Sequence, residues 1–310
     1  MDFSDSARLL ELVSRSFALC IPRLPAKVRS EVGNYYLLCR YLDSIEDSTL
    51  PQPEKKDSFQ FFLRVLKTED LNGLESLSQK ILPFVPNPND AKMISEFNPI
   101  LQEFISFDSK SKKMARHWIA VMARGMHRFS YRKIRTFADL DRYCYYVAGT
   151  VGHFLTDIFA HKFGLTRFHD MAFLGRHFGL LLQKVNIIRD FSKDFSENRV
   201  FWPSQLFEKQ GLGVEEVFEP QNRVKSQRIL NSMVLDAQRH AKHCVQLINQ
   251  IPEELTDLRV SCAIPLYMAI PTLEKCENNP AVFEKSTVIK LSRSETAEII
   301  SGIEKKYGLN

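Results

Sequence analysis

The chain has little glycine, with 12 glycines among 310 residues, whereas average usage is about 7%. None of them form the G-x-G-x-x-G pattern that opens a dinucleotide-binding helix. The sequence therefore gives no support for a βαβ nucleotide-binding fold. Because glycine weakens helix interiors, its scarcity instead favours an all-α protein.

Long apolar runs are also missing, since no uncharged stretch reaches the roughly 18 residues of a transmembrane helix. The segment Met1–Asp5 starts acidic and lacks the apolar core of a signal peptide. The six cysteines include no C-x-x-C pair and lie mostly in apolar segments, so we expect buried free thiols in a reducing compartment. These absences predict a cytoplasmic protein that is soluble, or at most peripheral to a membrane.

Charge is modest, with a formal net value of +5, and the basic residues are scattered rather than gathered in blocks. We therefore expect no nucleic-acid partner. His240 and His243 lie three residues apart without zinc-type spacing, so we interpret them as part of a solvated helix face. A mildly positive chain suits an anionic substrate or a membrane surface.

What the sequence does contain is helical periodicity, without convincing β-alternation. Hydrophobic residues make up 44% of the chain, including 23 phenylalanines, enough for a sizeable core. The two proline-containing stretches 51–56 and 83–90 read as loops too short to separate domains. We predict one all-α domain over residues 1–310, with helices at 31–48, 91–107, 112–129, 170–195, 223–250 and 258–277.

Two acidic clusters stand out, Asp43–Asp47 and Asp190–Asp194, each with two aspartates four residues apart. That spacing places both carboxylates on one face of a helix, where like charges cost a few tenths of a kcal/mol. A bound divalent cation would offset the repulsion. Two such pairs facing each other across a cavity are suited to hold several Mg²⁺ ions against a diphosphate.

Each cluster lies on a polar stripe at helical spacing. The stripes are Tyr36, Arg40, Asp43 and Asp47, and then Gln183, Asn186, Asp190 and Asp194. A polar stripe in an apolar helix lines a cavity or a polar contact, although an ordinary wet helix face is the alternative. Arg189 and Arg199 bracket the second pair of carboxylates and are suited to grip phosphate oxygens. Arg40, three residues before Asp43, supplies a cation on the same face of the first helix.

With these motifs, the chain resembles the squalene/phytoene synthase family, whose members join two prenyl diphosphates head to head. The resemblance covers roughly residues 10–290. Its segments are Ser14-Arg15-Ser16-Phe17, Arg40–Asp47, Tyr143–Gly149, Gln183–Asp194 and Arg199–Pro203. A sixth segment, Cys262-Ala263-Ile264-Pro265, is similar to the squalene-synthase branch in particular.

The resemblance implies an isoprenoid-synthase helical bundle around a central cavity that binds two farnesyl diphosphates. Asp43, Asp47, Asp190 and Asp194 would hold Mg²⁺, with Mn²⁺ as an alternative, and so assist ionisation of a diphosphate. Attack by the second substrate and loss of a proton would give presqualene diphosphate. In the squalene branch, a second ionisation is quenched by hydride from NADPH.

Individual roles are also implied by the resemblance. Tyr146 would handle a proton, with a packed core tyrosine as the alternative. Small residues Ala148, Gly149 and Gly152 would leave room for prenyl chains, unless they serve close helix packing. Substrate contacts are implied for Ser14, Arg15, Ser16, Phe17, Tyr36, Arg40, Gln183, Asn186, Arg189 and Arg199. NADPH contacts are implied for Asn186, Lys290 and Arg293.

Two departures from the family pattern keep alternatives open. Ser261 stands where squalene synthases commonly have an aromatic residue. Eukaryotic members usually end in a membrane-anchoring apolar helix, whereas this sequence ends Lys305-Lys306-Tyr307-Gly308-Leu309-Asn310, so we expect either a naturally soluble enzyme or an anchorless version. We expect a monomer that meets a membrane only peripherally, for release of an apolar product. The alternatives are a non-reducing synthase making dehydrosqualene, phytoene or presqualene diphosphate, and, more distantly, a non-catalytic binding or assembly protein.

Overall fold

The computed structural model describes residues 4–14, 16–165, 168–284, 287 and 289–308. Within these ranges the chain forms helices and turns and contains no β-strand. The expectation of an all-α fold is therefore confirmed. The chain divides into two compact units, the first comprising residues 1–131 and 153–168 and the second 132–152 and 169–310. The expectation of one domain over 1–310 stays a prediction.

The helices are numbered in chain order. They are α1 (Ser4–Val13), α2 (Phe17–Cys20), α3 (Ala26–Asp47), α4 (Gln52–Thr68), α5 (Leu71–Ile81), α6 (Pro88–Ser95), α7 (Asn98–Ser106), α8 (Ser109–Phe129), α9 (Phe137–Cys144), α10 (Thr150–Phe163), α11 (Phe168–Arg189), α12 (Phe191–Ser196), α13 (Ser204–Gln210), α14 (Arg223–Gln238), α15 (Ala241–Gln250), α16 (Thr256–Cys276) and α17 (Arg293–Tyr307). A π-helical segment, Tyr145–Gly149, joins α9 to α10.

Prolines explain the first differences from the predicted boundaries. Pro51 precedes the first residue of α4 and Pro88 begins α6. The predicted loop 51–56 is therefore mostly a helix start, whereas the predicted loop 83–90 is confirmed only at 85–87, between the 3₁₀ turn Leu82–Phe84 and α6. Proline suits that place because its missing N–H has no helical partner there. Pro99 likewise lies in the first turn of α7, which divides the predicted helix 91–107.

Two other predicted helices are interrupted without proline or glycine. The segment 170–195 breaks at Asp190, whose φ of −96° and ψ of 12° leave the helical region. The segment 223–250 is divided into α14 and α15 around Arg239 and His240. The break at Asp190 matters for function because it falls inside the second aspartate pair.

Helix α3 forms the centre of the first unit, where it packs against α1, α4, α6, α7 and α8. Its aliphatic side chains from Val28 to Ile45 are buried, and Tyr41 stacks on Phe62 with ring centroids 4.5 Å apart. Lys55 donates a hydrogen bond to the carbonyl of Glu46 at the C-terminal end of α3. This packing fixes the face of α3 that remains accessible.

In the second unit, glycines bring the π segment and the first residues of α10, up to Gly152, into backbone contact with α11. A Cβ added to Gly152 would lie 1.9 Å from the carbonyl oxygen of Gly175, and one added to Gly179 would lie 2.2 Å from that of Ala148. Only glycine fits at such distances. For Gly152, close helix packing is therefore the reading that the structure supports.

Candidate functional site

The first polar stripe lies on the accessible side of α3, as its spacing predicts. Tyr36, Arg40 and Asp43 are half-buried and Asp47 is exposed. The neighbouring Leu38, by contrast, has no accessible surface. The helical period therefore brings all four polar side chains to one face.

The N-terminal motif joins this stripe through Tyr36. The Ser14 hydroxyl accepts a hydrogen bond from the backbone N–H of Phe17 at 3.0 Å and also bonds to Tyr36. The rings of Phe17 and Tyr36 lie 5.0 Å apart. Burial raises the pKa of Tyr36 to about 12, so this phenol stays neutral. Ser16 is exposed, and Arg15 lies outside the described residues.

Arg40 is held by a carboxylate that sequence reasoning missed. Its Nε and Nη2 atoms donate to Asp90 at 2.9 and 2.7 Å, while its Nη1 lies 3.8 Å from the Oδ2 of Asp43. Asp90 is buried in the first turn of α6. Because Asp90 lies in the predicted loop 83–90, the sequence predicts no role for it. An acidic residue soon after Pro88 is nevertheless a signal for the start of a helix.

The first aspartate pair has an unfavourable electrostatic environment without a further cation. Burial raises the pKa of Asp43 to about 7, with contributions from the nearby charges of Asp47 and Asp90 that Arg40 only partly offsets. Both aspartates also lie in the last turns of α3, where the helix dipole disfavours negative charge. Carboxylate oxygens with unbalanced negative charge fit a hard divalent cation.

The second stripe runs along α11 and across the break into α12. Gln183 is half-buried and Asn186 is exposed, whereas the adjacent Ile187 is buried. Although the helix breaks at Asp190, the backbone N–H of Asp194 donates to the Asp190 carbonyl at 2.9 Å. That contact keeps the two aspartates one turn apart, as their spacing predicts.

In this second pair, arginines bond directly to the aspartates. Arg189 donates to Asp190 through Nε at 2.8 Å and through Nη2, and Arg199 donates to Asp194 at 3.0 Å. Burial nevertheless raises the pKa of Asp194 to about 6, with Asp190 and Glu197 adding to the shift. This cluster therefore also has unbalanced negative charge.

The segment after the second pair is anchored to α11. The indole Nε1 of Trp202 donates to the carbonyl of Ile187 at 3.1 Å, and Trp202 is buried. Tyr143, in the preceding motif, stacks on Phe201 with centroids 4.8 Å apart. The structure thus brings three of the sequence motifs together within the second unit.

Tyr146 lies in the π-helical segment, which is often a mark of a functional site. Its side chain is half-buried, with its ring 5.4 Å from that of Tyr145. Part of its side chain is therefore accessible, although its burial also fits the alternative of a packed core tyrosine. Its role in proton handling stays a prediction.

The three residues implied for NADPH contacts, Asn186, Lys290 and Arg293, are exposed side chains on separate segments of the chain. Lys290 and Arg293 are both exposed, and Arg293 is the first residue of α17 after the N-cap Ser292. Asn186, on α11, is exposed as well. Their assignment stays a prediction.

A buried polar cluster under α11 corrects one expectation. His240 is only 2% exposed, so the prediction of a solvated face is wrong for it. With Asp141 and Asp236 it forms a group whose ligand atoms could hold a metal. The ammonium of Lys184 donates to both of these carboxylates and lies 2.9 Å from His240 Nε2. Lys184 thus supplies buried positive charge there, and Arg239 adds a second cation, 2.7 Å from Asp141 and 3.0 Å from Asp236.

Ser261 is also buried, at 4% exposure. Its hydroxyl has no hydrogen-bond partner among the described residues. No helix within the described ranges is long and apolar enough to cross a membrane.

A family model described as squalene/phytoene synthase matches residues 10–295. The squalene synthase of Schizosaccharomyces pombe is 32% identical over 304 residues, which cover 94% of this chain and 63% of that protein. Squalene synthase BSS of Botryococcus braunii is 33% identical over 307 residues, covering 94% of this chain and 62% of that protein. The chain thus spans less than two thirds of the length of these curated relatives.

A solved structure described as the complex of TcSQS with the ligand E5700 has the same architecture. It matches with a TM-score of 0.87 and 31% sequence identity, covering 99% of this chain and 90% of that one. The resemblance noted from the sequence motifs is therefore confirmed at the level of family and fold.

Proposed function

The chain belongs to the squalene/phytoene synthase family, and from this premise we propose that it condenses two farnesyl diphosphates to presqualene diphosphate and reduces the product to squalene with NADPH. The observation that carries the proposal is the pair of accessible aspartate stripes, each with its own arginines. The names of the two curated relatives support squalene as the product.

Asp43 and Asp47 in the first unit, and Asp190 and Asp194 in the second, would hold Mg²⁺ or Mn²⁺. The raised pKa values of Asp43 and Asp194 support this fit, because burial and then the neighbouring carboxylates disfavour their negative charge more than the nearby arginines offset it. When bound, the cation would neutralise the leaving diphosphate.

The arginines would bind diphosphate oxygens directly. Arg189 and Arg199 already present their N–H donors at the second aspartate pair, and guanidinium groups match phosphate geometry well. Ser14, Tyr36 and Phe17 would orient the substrate at the first stripe, where they contact one another. Gln183 and Asn186 would serve the same purpose beside the second. Tyr146 would hold or move the proton lost on cyclopropane formation.

NADPH would supply hydride in the second step. Asn186, Lys290 and Arg293 are the proposed contacts, of which the two basic side chains are exposed and suited to phosphate groups. We also propose a monomeric, cytoplasmic protein with one catalytic domain, which associates peripherally with membranes to release its apolar product.

A second candidate is a non-reducing synthase of the same family. Ser261 favours it, because a buried hydroxyl without a partner cannot stabilise a carbocation as an aromatic face does. Such an enzyme would release dehydrosqualene or presqualene diphosphate.

Product analysis separates the two candidates. Radiolabelled farnesyl diphosphate is incubated with the protein and Mg²⁺, with and without NADPH, and the products are identified by gas chromatography after phosphatase treatment. We expect squalene only when NADPH is present. A product profile that is independent of NADPH would favour the non-reducing synthase, and unreacted substrate in both arms would refute both candidates.

A further inference from the structure

The carboxylate that holds Arg40 is outside the aspartate motif. Asp90 lies on α6, its side chain is 5% exposed, and both its oxygens accept hydrogen bonds from the Arg40 guanidinium. We propose that Asp90 is a positioning residue that fixes Arg40 beside the first aspartate pair. This inference rests on the proposed function, since it concerns the same candidate site.

The geometry of the pair determines which donors remain for the site. A guanidinium has five N–H groups in a rigid planar fork. Asp90 takes the Nε–Nη2 edge at 2.9 and 2.7 Å, so the two Nη1 hydrogens and one Nη2 hydrogen are left for other partners. Nη1 is the atom nearest to Asp43, at 3.8 Å. Two bonds to one carboxylate fix both the position and the plane of the guanidinium.

The distance between Arg40 and Asp43 indicates that Arg40 is kept near Asp43 without bonding to it. At 3.8 Å the two groups attract each other, but they are too far apart for a hydrogen bond. The Asp43 oxygens therefore stay available for a cation while Arg40 lies close enough to meet a diphosphate. Without Asp90, the flexible arginine would be free to bond to Asp43 and compete with that cation.

A purely structural role for Asp90 makes a different prediction. Helix α6 packs against α3, so the Arg40–Asp90 pair also ties these helices together. If that were its whole purpose, losing Asp90 would lower thermal stability and leave cation binding and kinetics unchanged. The two roles are therefore separable by measurement.

The test compares Asp90→Asn with the matched control Glu69→Gln. Glu69 also accepts from an arginine, Arg116, within the first unit, but it is not one of the stripe residues. Mn²⁺ affinity is measured by electron paramagnetic resonance titration without substrate, and kcat and KM are measured with farnesyl diphosphate and saturating Mg²⁺. Loss of a residue that orients a metal site typically costs about 10–100-fold in affinity or activity. We expect a loss in that range for Asp90→Asn and about wild-type values for Glu69→Gln.

A double-mutant cycle then shows whether Asp90 acts through Arg40. In an Arg40→Gln background, Asp90→Asn should cause no further loss of Mn²⁺ affinity, because the residue it positions is gone. An equal loss in both backgrounds would overturn the proposal. So would an Asp90→Asn protein that melts at lower temperature but binds Mn²⁺ and turns over substrate normally.

A second variant covers the case in which Asp90→Asn does not fold, and the Mn²⁺ titration covers the case in which the chain has no activity. Arg40→Lys preserves both charges but removes the fork, so it should weaken Mn²⁺ binding in the same direction even if Asp90→Asn does not fold. Unchanged binding in that variant would contradict the proposal. The Mn²⁺ titration does not require turnover, so a wild-type chain inactive on farnesyl diphosphate would refute the proposed function while an Asp90 effect on Mn²⁺ binding still supported positioning.

Discussion

The two aspartate pairs have the same spacing but different support. The first lies within the continuous helix α3, and its arginine is held by Asp90, outside the pair. The second lies across the end of α11, and Arg189 and Arg199 bond directly to its aspartates. In the first pair Arg40 stays 3.8 Å from Asp43, beyond hydrogen-bond distance, whereas in the second pair a cation has to compete with arginines that bond directly to the aspartates. One sequence motif is thus compatible with two electrostatic arrangements.

The largest expected effect is a loss of turnover when either pair loses one aspartate, which tests whether both pairs are metal sites. Asp43→Asn and Asp190→Asn each remove a charged ligand while preserving side-chain size. Losing one preorganised electrostatic contact typically costs about 10²–10³ in rate, and we expect at least that for both variants. Turnover of labelled farnesyl diphosphate is compared at equal folded concentration, judged by circular dichroism. Wild-type turnover by either variant would show that its aspartate pair is not required for catalysis.

Tyr146→Phe tests whether the second unit also supplies the proton-handling group. Only the hydroxyl is lost, so packing in the π segment should be kept. General acid–base contributions begin at about 10² in rate, and we expect kcat to fall by that factor with little change in KM. Normal specific activity with a lowered melting temperature would instead indicate a packing role.

Lys184→Met tests how the helix carrying the second pair is anchored. Lys184 has no accessible surface and donates to both Asp141 and Asp236. Removing one partner of a buried ion pair typically costs about 3–5 kcal/mol, which we expect to see in urea unfolding. Lys193→Met is the control, because that side chain is 70% exposed. Equal stability of the two variants would show that the buried cluster is not an anchor.

Arg199→Gln addresses the competition between arginine and cation directly. A unit charge about 4 Å from a divalent cation contributes about 2 kcal/mol even in water, so removing Arg199 should strengthen Mn²⁺ binding roughly 30-fold. Arg142→Gln is a suitable control, since its salt bridge is to Asp139. Weaker Mn²⁺ binding by Arg199→Gln would mean that this arginine supports the cation site rather than competing for it.

The smallest expected effect is a difference in the pH dependence of thermal stability between the wild type and Asp43→Asn. The pKa of Asp43 is raised to about 7 in the folded protein, so between about pH 4 and pH 7 the folded state binds more protons than the unfolded state. Stability should therefore fall as pH rises through this window. Without Mg²⁺, the melting temperature of the wild type should fall more than that of Asp43→Asn between about pH 5 and pH 7. Parallel curves would contradict the raised pKa.

The polar stripes were predictable from sequence because the helical period alone determines which side chains share a face. The partners of those side chains were not. Asp90 lies 50 residues from Arg40 and Asp236 lies 52 residues from Lys184, so only the tertiary fold brings them together. The break at Asp190 was also missed, because no proline or glycine marks it.

The proposed function is tested most directly by counting inorganic diphosphate released per farnesyl diphosphate consumed. Condensation to presqualene diphosphate releases one diphosphate for every two substrates, and reduction to squalene releases the second. With Mg²⁺, we predict that the released fraction doubles when NADPH is added and that release stops when Mg²⁺ is chelated. No release, or release that is unaffected by chelation, would contradict the metal-assisted mechanism. Full release without NADPH would contradict the reductive step.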